Sequence, residues 1–343
     1  MIKVGVIGLG MMGTTHLDVY SKRDDVEVVA ISDIDPDRLH GRAMAAGNIE
    51  GQAEGQFDFD KVKKYDEGKK LLRNKQLDLI DVCLRTPQHM DFGRRVLRSG
   101  RHLMVEKPLA RTARDAMKLV VESEKAIGFT MVGQCMRFWP EWVWLKQAID
   151  EKRYGKVMSA QFRRVSDHPG GPFYTDGDAC GGALLDLHVH DTDFVHFCFG
   201  IPTGVNSIGY SKITNKIDHV VTQYIYDDVP LVVAEGGWAM ADGFGFHMQY
   251  TINFERATAQ YDMDAEDSLV LIEPGQDPKP IDAGPGMGYE HEIDYFINCI
   301  KSGQRPTTVT PNEAAISVKI AEAEQKSVLT GRPVKVGGEA TKR

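Results

Sequence analysis

Nothing constrains this chain more than Gly8-Leu9-Gly10-Met11-Met12-Gly13, placed directly behind the apolar run at residues 3–7. A G-x-G-x-x-G turn that follows a strand and opens a helix gives each glycine a physical task. Gly8 allows the tight turn, Gly10 lets the backbone approach a pyrophosphate, and Gly13 lets helix and strand pack closely. The helix N-terminus behind the turn adds positive potential for phosphates. Asp33 closes the next β-branched run, residues 27–32, about 20 positions past the last glycine. A carboxylate there accepts hydrogen bonds from ribose hydroxyls and repels a 2′-phosphate, so NAD is the expected cofactor. Arg38, on the following helix, keeps NADP open.

The surrounding pattern fits such a turn. Strand signals at residues 3–7, 27–32, 79–84, 102–105 and 129–133 alternate with helical segments at 12–21, 91–99 and 112–126. Asp35-Pro36 opens a further helix. This is the signature of a parallel sheet with crossover helices, a doubly wound Rossmann domain over residues 1–134. Residues 47–60, rich in Gly, Gln and acidic side chains, lack periodicity and read as a surface loop. Beyond residue 134 the texture changes. A helix at 139–151 precedes longer strands at 157–165, 205–211, 220–226, 231–236, 247–253 and 259–262, mostly without helices between them, and an Ala-rich helix spans 312–329. Antiparallel pairing follows, giving an α+β second domain, 135–343, with a large, open-faced sheet. The closing helix is placed there, with the option of packing back on the first domain.

Bulk properties exclude several function classes. A length of 343 residues favours two compact units. A formal charge of −8 argues against nucleic-acid or anionic-membrane partners, which require a basic field. No run of about 18 apolar residues exists to cross a bilayer. The N-terminus lacks a secretory pattern, and the five cysteines never occur as C-x-x-C. Reduced thiols in a cytoplasmic protein are expected, rather than a disulfide framework or zinc site.

Five short strings complete the picture: GLGMMGTTH at 8–16, RTPQH at 85–89, VEKPLA at 105–110, MRFWP at 136–140 and GGALLDLHVHDTD at 181–193. In this order and approximate spacing, the chain resembles the Gfo/Idh/MocA oxidoreductases, a family that includes glucose–fructose oxidoreductase and inositol dehydrogenases. The resemblance implies a nicotinamide cofactor and a sugar, inositol or related polyol substrate. It implies that Lys107 lies by the nicotinamide and the substrate, and that His190 exchanges the proton with Asp186 as its companion. It places Thr86, Pro87 and His89 in a loop beneath the cofactor, adds Glu106 to the cofactor set with Lys107, and matches His16 and Asp193 to further motif positions. A homodimer or homotetramer through the C-terminal sheet is also implied.

The same residues carry a weaker reading of their own. Oxidising a secondary alcohol removes a hydroxyl proton while hydride leaves carbon; the cofactor takes the hydride and the protein supplies acid–base groups. An imidazole exchanges protons near neutral pH. A lysine ammonium stabilises developing alkoxide charge or holds the hydroxyl. Asp186 and His190, four apart, share one face of a helix. In isolation Lys107 reads sooner as a surface lysine after a strand, and His190 sooner as a hydrogen-bonded structural histidine. Asp186, His188, His190 and Asp193 resemble metal ligands in type, but His188 and His190 point to different sides of a helix, and no metal is expected. Arg163, His168, Tyr174 and Asp176 are candidate substrate contacts, the last three in an irregular Gly/Pro-rich loop at 166–178 that reads equally as a solvated connection. Phe138, Trp139, Trp142 and Trp144 read as helix packing. Two other functions stay open: a tightly held NAD used transiently in glycoside cleavage or sugar–sugar redox exchange, and a non-catalytic dinucleotide-binding regulator.

Overall fold

The computed structural model describes residues 1–43 and 57–337. Its described residues form two compact units, one from Met1–Cys135 with Met287–Ala315 and one from Met136–Gly286 with Ile316–Arg343. Most of the loop expected at 47–60 lies outside the described residues.

The first unit holds β1 (Ile2–Ile7), α1 (Met11–Ser21), β2 (Val26–Ser32), α2 (Pro36–Leu39), β3 (Lys63–Tyr65), α3 (Gly68–Leu71), β4 (Leu79–Val82), α4 (Thr86–Arg98), β5 (His102–Glu106), α5 (Ala113–Lys125) and β6 (Thr130–Gly133). The six strands pair in parallel in the order β3-β2-β1-β4-β5-β6. Strand order reverses between β1 and β4, so the carboxyl end of β1 opens onto the crevice where doubly wound sheets take their ligands. The central strands are buried on both faces: Val4, Val6, Ile80, Val82, Leu103 and Val105 are inaccessible to solvent, as helices covering both faces require. The helix expected at 91–99 begins earlier, at Thr86, because Pro87 fills a first-turn position where its missing N–H costs nothing.

The second unit contributes α6 (Pro140–Asp150), β7 (Val157–Ser166), α7 (Gly171–Thr175), α8 (Gly177–Cys180), α9 (Gly182–Asp186), α10 (Val189–Phe199), β8 (Gly204–Tyr210), β9 (His219–Ile225), β10 (Leu231–Gly237), β11 (Phe246–Phe254), β12 (Thr258–Asp262), β13 (Leu269–Ile272) and β14 (Lys279–Pro280). After α11 (Gly288–Ser302) and α12 (Pro311–Thr330), β15 (Val334–Lys335) joins the sheet edge. Nine strands run β14-β13-β12-β11-β7-β10-β9-β8-β15; β7 and β10 are parallel and the other pairs antiparallel. Helices α9 and α10 pack on one face. The core there is aromatic: Trp142 is fully buried, 4.6 Å from Phe194, 5.4 Å from Tyr250 and 5.7 Å from Phe162 between ring centroids. The opposite face carries Gln161, Gln223, Ile208, Tyr210, Ile225 and Leu231, all exposed, as the period of two dictates.

The domain assignment from sequence needs one correction. The segment that returns to the first unit is α11, whose apolar face packs on α1, while of α12 only residues 311–315 group with that unit. Tyr289, Ile293, Phe296 and Ile297 fall at helical spacing on the buried side. Glu290 accepts from the Met287 N–H at 3.1 Å at one end, and Gly303 closes the other in a left-handed conformation.

Candidate cofactor and substrate site

The glycine turn is packed tightly enough to explain each glycine. Gly8 has φ +94°, and a β-carbon there would stand 2.5 Å from the Cys83 carbonyl oxygen. A β-carbon on Gly13 would stand 1.9 Å from the Gly8 carbonyl oxygen, so the helix could not approach the strand as it does. Gly10 is different: only the Arg38 guanidinium comes within 3.9 Å of such an atom, which leaves its backbone approachable. Helix α1 starts at Met11 with Gly10 as N-cap and no capping side chain, and its first turn holds no acidic residue. The N-terminal dipole is therefore directed at the crevice.

Asp33 is buried, and its carboxylate is already organised. Oδ2 accepts from the Leu9 N–H at 2.7 Å and Oδ1 from the Asp35 N–H at 2.8 Å. One carboxylate thus holds the glycine turn to the end of β2 and keeps lone pairs for a ribose diol. Arg38 lies against the turn with its Nε 3.7 Å from Asp35 Oδ2. Beside Asp33, an open cavity of about 410 Å³ is lined by Ile34, Glu67, Gly68, Lys69, Pro87 and Gln88. Ile34 is 88% exposed, an apolar surface suited to one face of a purine ring.

Of the residues expected beneath the cofactor, Pro87 is exposed at that cavity and Thr86 is buried. His89 requires correction. It is fully buried, with Nδ1 2.8 Å from the Pro108 carbonyl oxygen and Nε2 2.7 Å from that of Leu84. Both ring edges are spent on the backbone, so His89 braces the exit of β4 against the turn after Lys107 instead of reaching a ligand. Lys107 follows the last residue of β5 and is half-buried; its N–H donates to Glu106 Oε2 at 3.1 Å. Glu106 is buried and faces the protein interior.

In the second unit the expected single helix through Asp186 and His190 is interrupted. Helix α9 ends at Asp186 and α10 begins at Val189. The His188 N–H donates to the Ala183 carbonyl five residues back, and the His190 N–H to Leu187 three back, replacing the regular ladder. The strict four-residue face argument therefore fails, although Asp186 and His190 both remain half-buried. Their neighbours are inward anchors. Asp191 accepts from Arg164 of β7 at 2.9 and 3.2 Å, and Asp193 accepts from Arg137 at 2.8 and 2.8 Å and from the Ser317 hydroxyl at 2.8 Å. The Thr192 hydroxyl lies 3.1 Å from Glu324. His188 is buried with its ring against Gly236 and Nε2 3.5 Å from Glu324; burial opposes its protonation, but Glu324 raises its pKa above the usual range. These contacts fix the rotation of α10 and hence the setting of His190.

The substrate candidates divide. Arg163 alternates with Arg164 along β7 and emerges on the face opposite α10, bound to Glu235 at 3.1 Å, which removes it from the Asp186–His190 group. Asp176 caps α8 by accepting from the Asp178 and Ala179 N–H groups, so the loop expected at 166–178 contains short helices α7 and α8. His168 engages Tyr174 O at 3.2 Å and the Gly170 N–H at 3.1 Å, and Tyr174 packs edge-on to Trp238 at 5.9 Å. Sequence reasoning missed Asp81 and Glu292 altogether. For Glu292 the available signal was the apolar spacing of α11, and for Asp81 its place inside the apolar run of β4; neither acid belongs to a recognisable motif.

Comparison with known proteins agrees with this geometry. Residues 2–134 match the oxidoreductase family, NAD-binding Rossmann fold (GFO_IDH_MocA), and residues 142–260 match the GFO/IDH/MocA C-terminal domain. The chain is 24% identical to myo-inositol 2-dehydrogenase of Thermotoga maritima over 98% of both chains. It is 25% identical to inositol 2-dehydrogenase of Rhizobium meliloti over 98% of this chain and 99% of that one. Its fold superposes on levoglucosan dehydrogenase in complex with NADH and levoglucosan with a TM-score of 0.85, at 17% identity, covering 98% of this chain and 100% of the other. The chain therefore belongs to the Gfo/Idh/MocA family, as an oxidoreductase with an NAD-binding Rossmann domain.

Proposed function

We propose that the protein transfers hydride reversibly between NAD and a secondary alcohol of an inositol, sugar or related polyol. The observation that carries this reading is the glycine turn held to Asp33 through Leu9, a cradle that accepts a pyrophosphate and a ribose diol. The polyol class is supported by the names of the full-length relatives. Bound NAD accepts the hydride; the chain's own residues bind, orient and move the proton. His190 takes the hydroxyl proton, Lys107 holds the hydroxyl and offsets developing negative charge on its oxygen, and Asp186 binds a neighbouring hydroxyl or orients His190. His168 and Tyr174 are further substrate contacts. A second copy of the chain covers the open sheet face, where Ile208, Tyr210, Ile225 and Leu231 are exposed.

The test is absorbance at the reduced-nicotinamide band across sugars, sugar acids and inositols, with NAD and NADP in parallel. Turnover with a polyol and NAD is expected. Lys107→Ala and His190→Asn are expected to lower kcat by roughly 10²- to 10⁴-fold. Undiminished turnover in either variant refutes the assigned role, and absence of dinucleotide binding in calorimetry refutes the function.

A further inference from the structure

One buried set of ionisable groups in the first unit has no part in the chemistry above. His16 of α1, Asp81 of β4, Glu106 of β5 and Glu292 of α11 converge with at most 6% exposure. His16 Nδ1 lies 2.8 Å from Asp81 Oδ2, which also accepts from the Tyr20 hydroxyl at 2.9 Å. The other ring edge, Nε2, faces Glu106 Oε1 at 3.4 Å and Glu292 Oε1 at 3.9 Å. Cys83 completes the surroundings, with Sγ 3.4 Å from Asp81 Oδ1, and Lys107 follows Glu106 in the chain.

The arrangement cannot be a set of ionised acids around a neutral imidazole. A neutral ring that donates Nδ1–H to Asp81 turns the Nε2 lone pair onto two carboxylate oxygens, with no solvent to screen them. Neither Glu292 oxygen nor His16 Nε2 has a hydrogen-bond partner among the described residues. Hydrogens must therefore reside on this cluster. A proton on Nε2 makes His16 a cation flanked by carboxylates. A second proton belongs on Glu292, because Glu106 has the Lys107 N–H as a donor and the Lys107 charge nearby, and Glu292 has neither.

We propose that His16, Glu106 and Glu292 form a buried proton-sharing site, held as imidazolium, carboxylate and neutral acid, in which Glu106 is the positioning residue for Lys107. The electrostatics agree in direction. Burial opposes charge on His16, but Asp81 foremost, with Glu106, raises its pKa above the usual range. Burial drives Glu292 well above the carboxylate range, and Glu106, also raised by burial, is held down by His16 and Lys107. The donor atoms lie within 4.8 Å of one another, a spacing that would also suit a divalent cation, so the test includes metal. The positioning role rests on the catalytic reading of Lys107; the proton site does not.

Two measurements on the full chain separate these claims. In ¹⁵N-histidine NMR, His16 is expected to carry protons on both ring nitrogens at pH 7.5. Glu292→Gln, isosteric with the neutral acid, is expected to leave that signature and Tm unchanged. Loss of the imidazolium or a clear fall in Tm in Glu292→Gln overturns the assignment of the proton, as does a stoichiometric metal that survives chelation. In steady-state kinetics, Glu106→Gln is expected to move the pH profile of kcat to lower pH, whereas Glu292→Gln keeps the wild-type profile. An unshifted profile in Glu106→Gln overturns the positioning role. If Lys107→Ala itself retains turnover, the catalytic reading fails while the NMR result still decides the proton site.

Discussion

Replacing Asp193 by Ala offers a direct measure of how firmly the second unit holds α10, the helix that carries His190, the proposed proton acceptor. Asp193 and Arg137 are both without side-chain exposure, joined by two hydrogen bonds of 2.8 Å. Removing the carboxylate takes two charge-assisted hydrogen bonds from a buried guanidinium, and breaking a buried pair in this way costs about 3–5 kcal/mol. The Ser317 hydroxyl loses its bond to Asp193 as well, adding about 1 kcal/mol. For a unit of this size each kcal/mol lowers Tm by about 2–4 °C, so a fall on the order of 10 °C is expected in differential scanning calorimetry. The double variant Arg137→Met with Asp193→Leu, which removes both charges, is expected to regain most of that loss. Single-variant destabilisation below about 1 kcal/mol, or a double variant as weak as the single, would refute the claim that loss of the buried ion pair sets the cost. Because α10 also carries His190, kcat should fall in the single variant even where it remains folded.

Two further expectations concern the first unit. Gly13→Ala puts a β-carbon 1.9 Å from the Gly8 carbonyl oxygen, so NAD binding in calorimetry should be lost while the second unit's unfolding is unchanged; normal binding would disprove the packing argument. The His16 pKa rises from 6.5 to about 9 on folding, so its contribution is fully present below pH 6.5 and is lost as pH climbs through 9. Stability of the first unit should decline by up to ~3 kcal/mol across that window, and His16→Asn should flatten the decline. An equally steep decline in the variant would assign it to other groups.

Much of the architecture is legible without coordinates because it depends on local spacing. Strand-like runs located all six of the second-unit strands named from sequence, and short apolar runs alternating with helical segments located five of the six Rossmann strands. The sixth, β3, spans only three residues of Lys63-Lys64-Tyr65 and carries no apolar pattern. Strands β14 and β15 escaped for a related reason: they are two-residue edge pieces whose pairing is supplied by neighbours, whereas β13, four apolar residues between β12 and β14, was not named despite its pattern. Helix α11 had the spacing of a helix but was not read as one, and Glu292 went unnoticed with it.

The sequence alone determined the dinucleotide turn, since each glycine answers to backbone sterics acting within a few residues, and it determined the order of strands and helices. What only the tertiary structure decided is which polar residues are taken up by the protein's own contacts. His89, Asp176, Asp191 and Asp193 have the same chemical equipment as ligand-binding residues, yet carbonyls, helix ends and buried arginines claim them. Arg163 and Arg164 are adjacent and identical in type, and the pleat sends one to the open face and the other to Asp191. A side chain's partner is fixed by groups distant in the chain, whose approach is set by the packing of the whole unit and leaves no periodic trace in the string of residues.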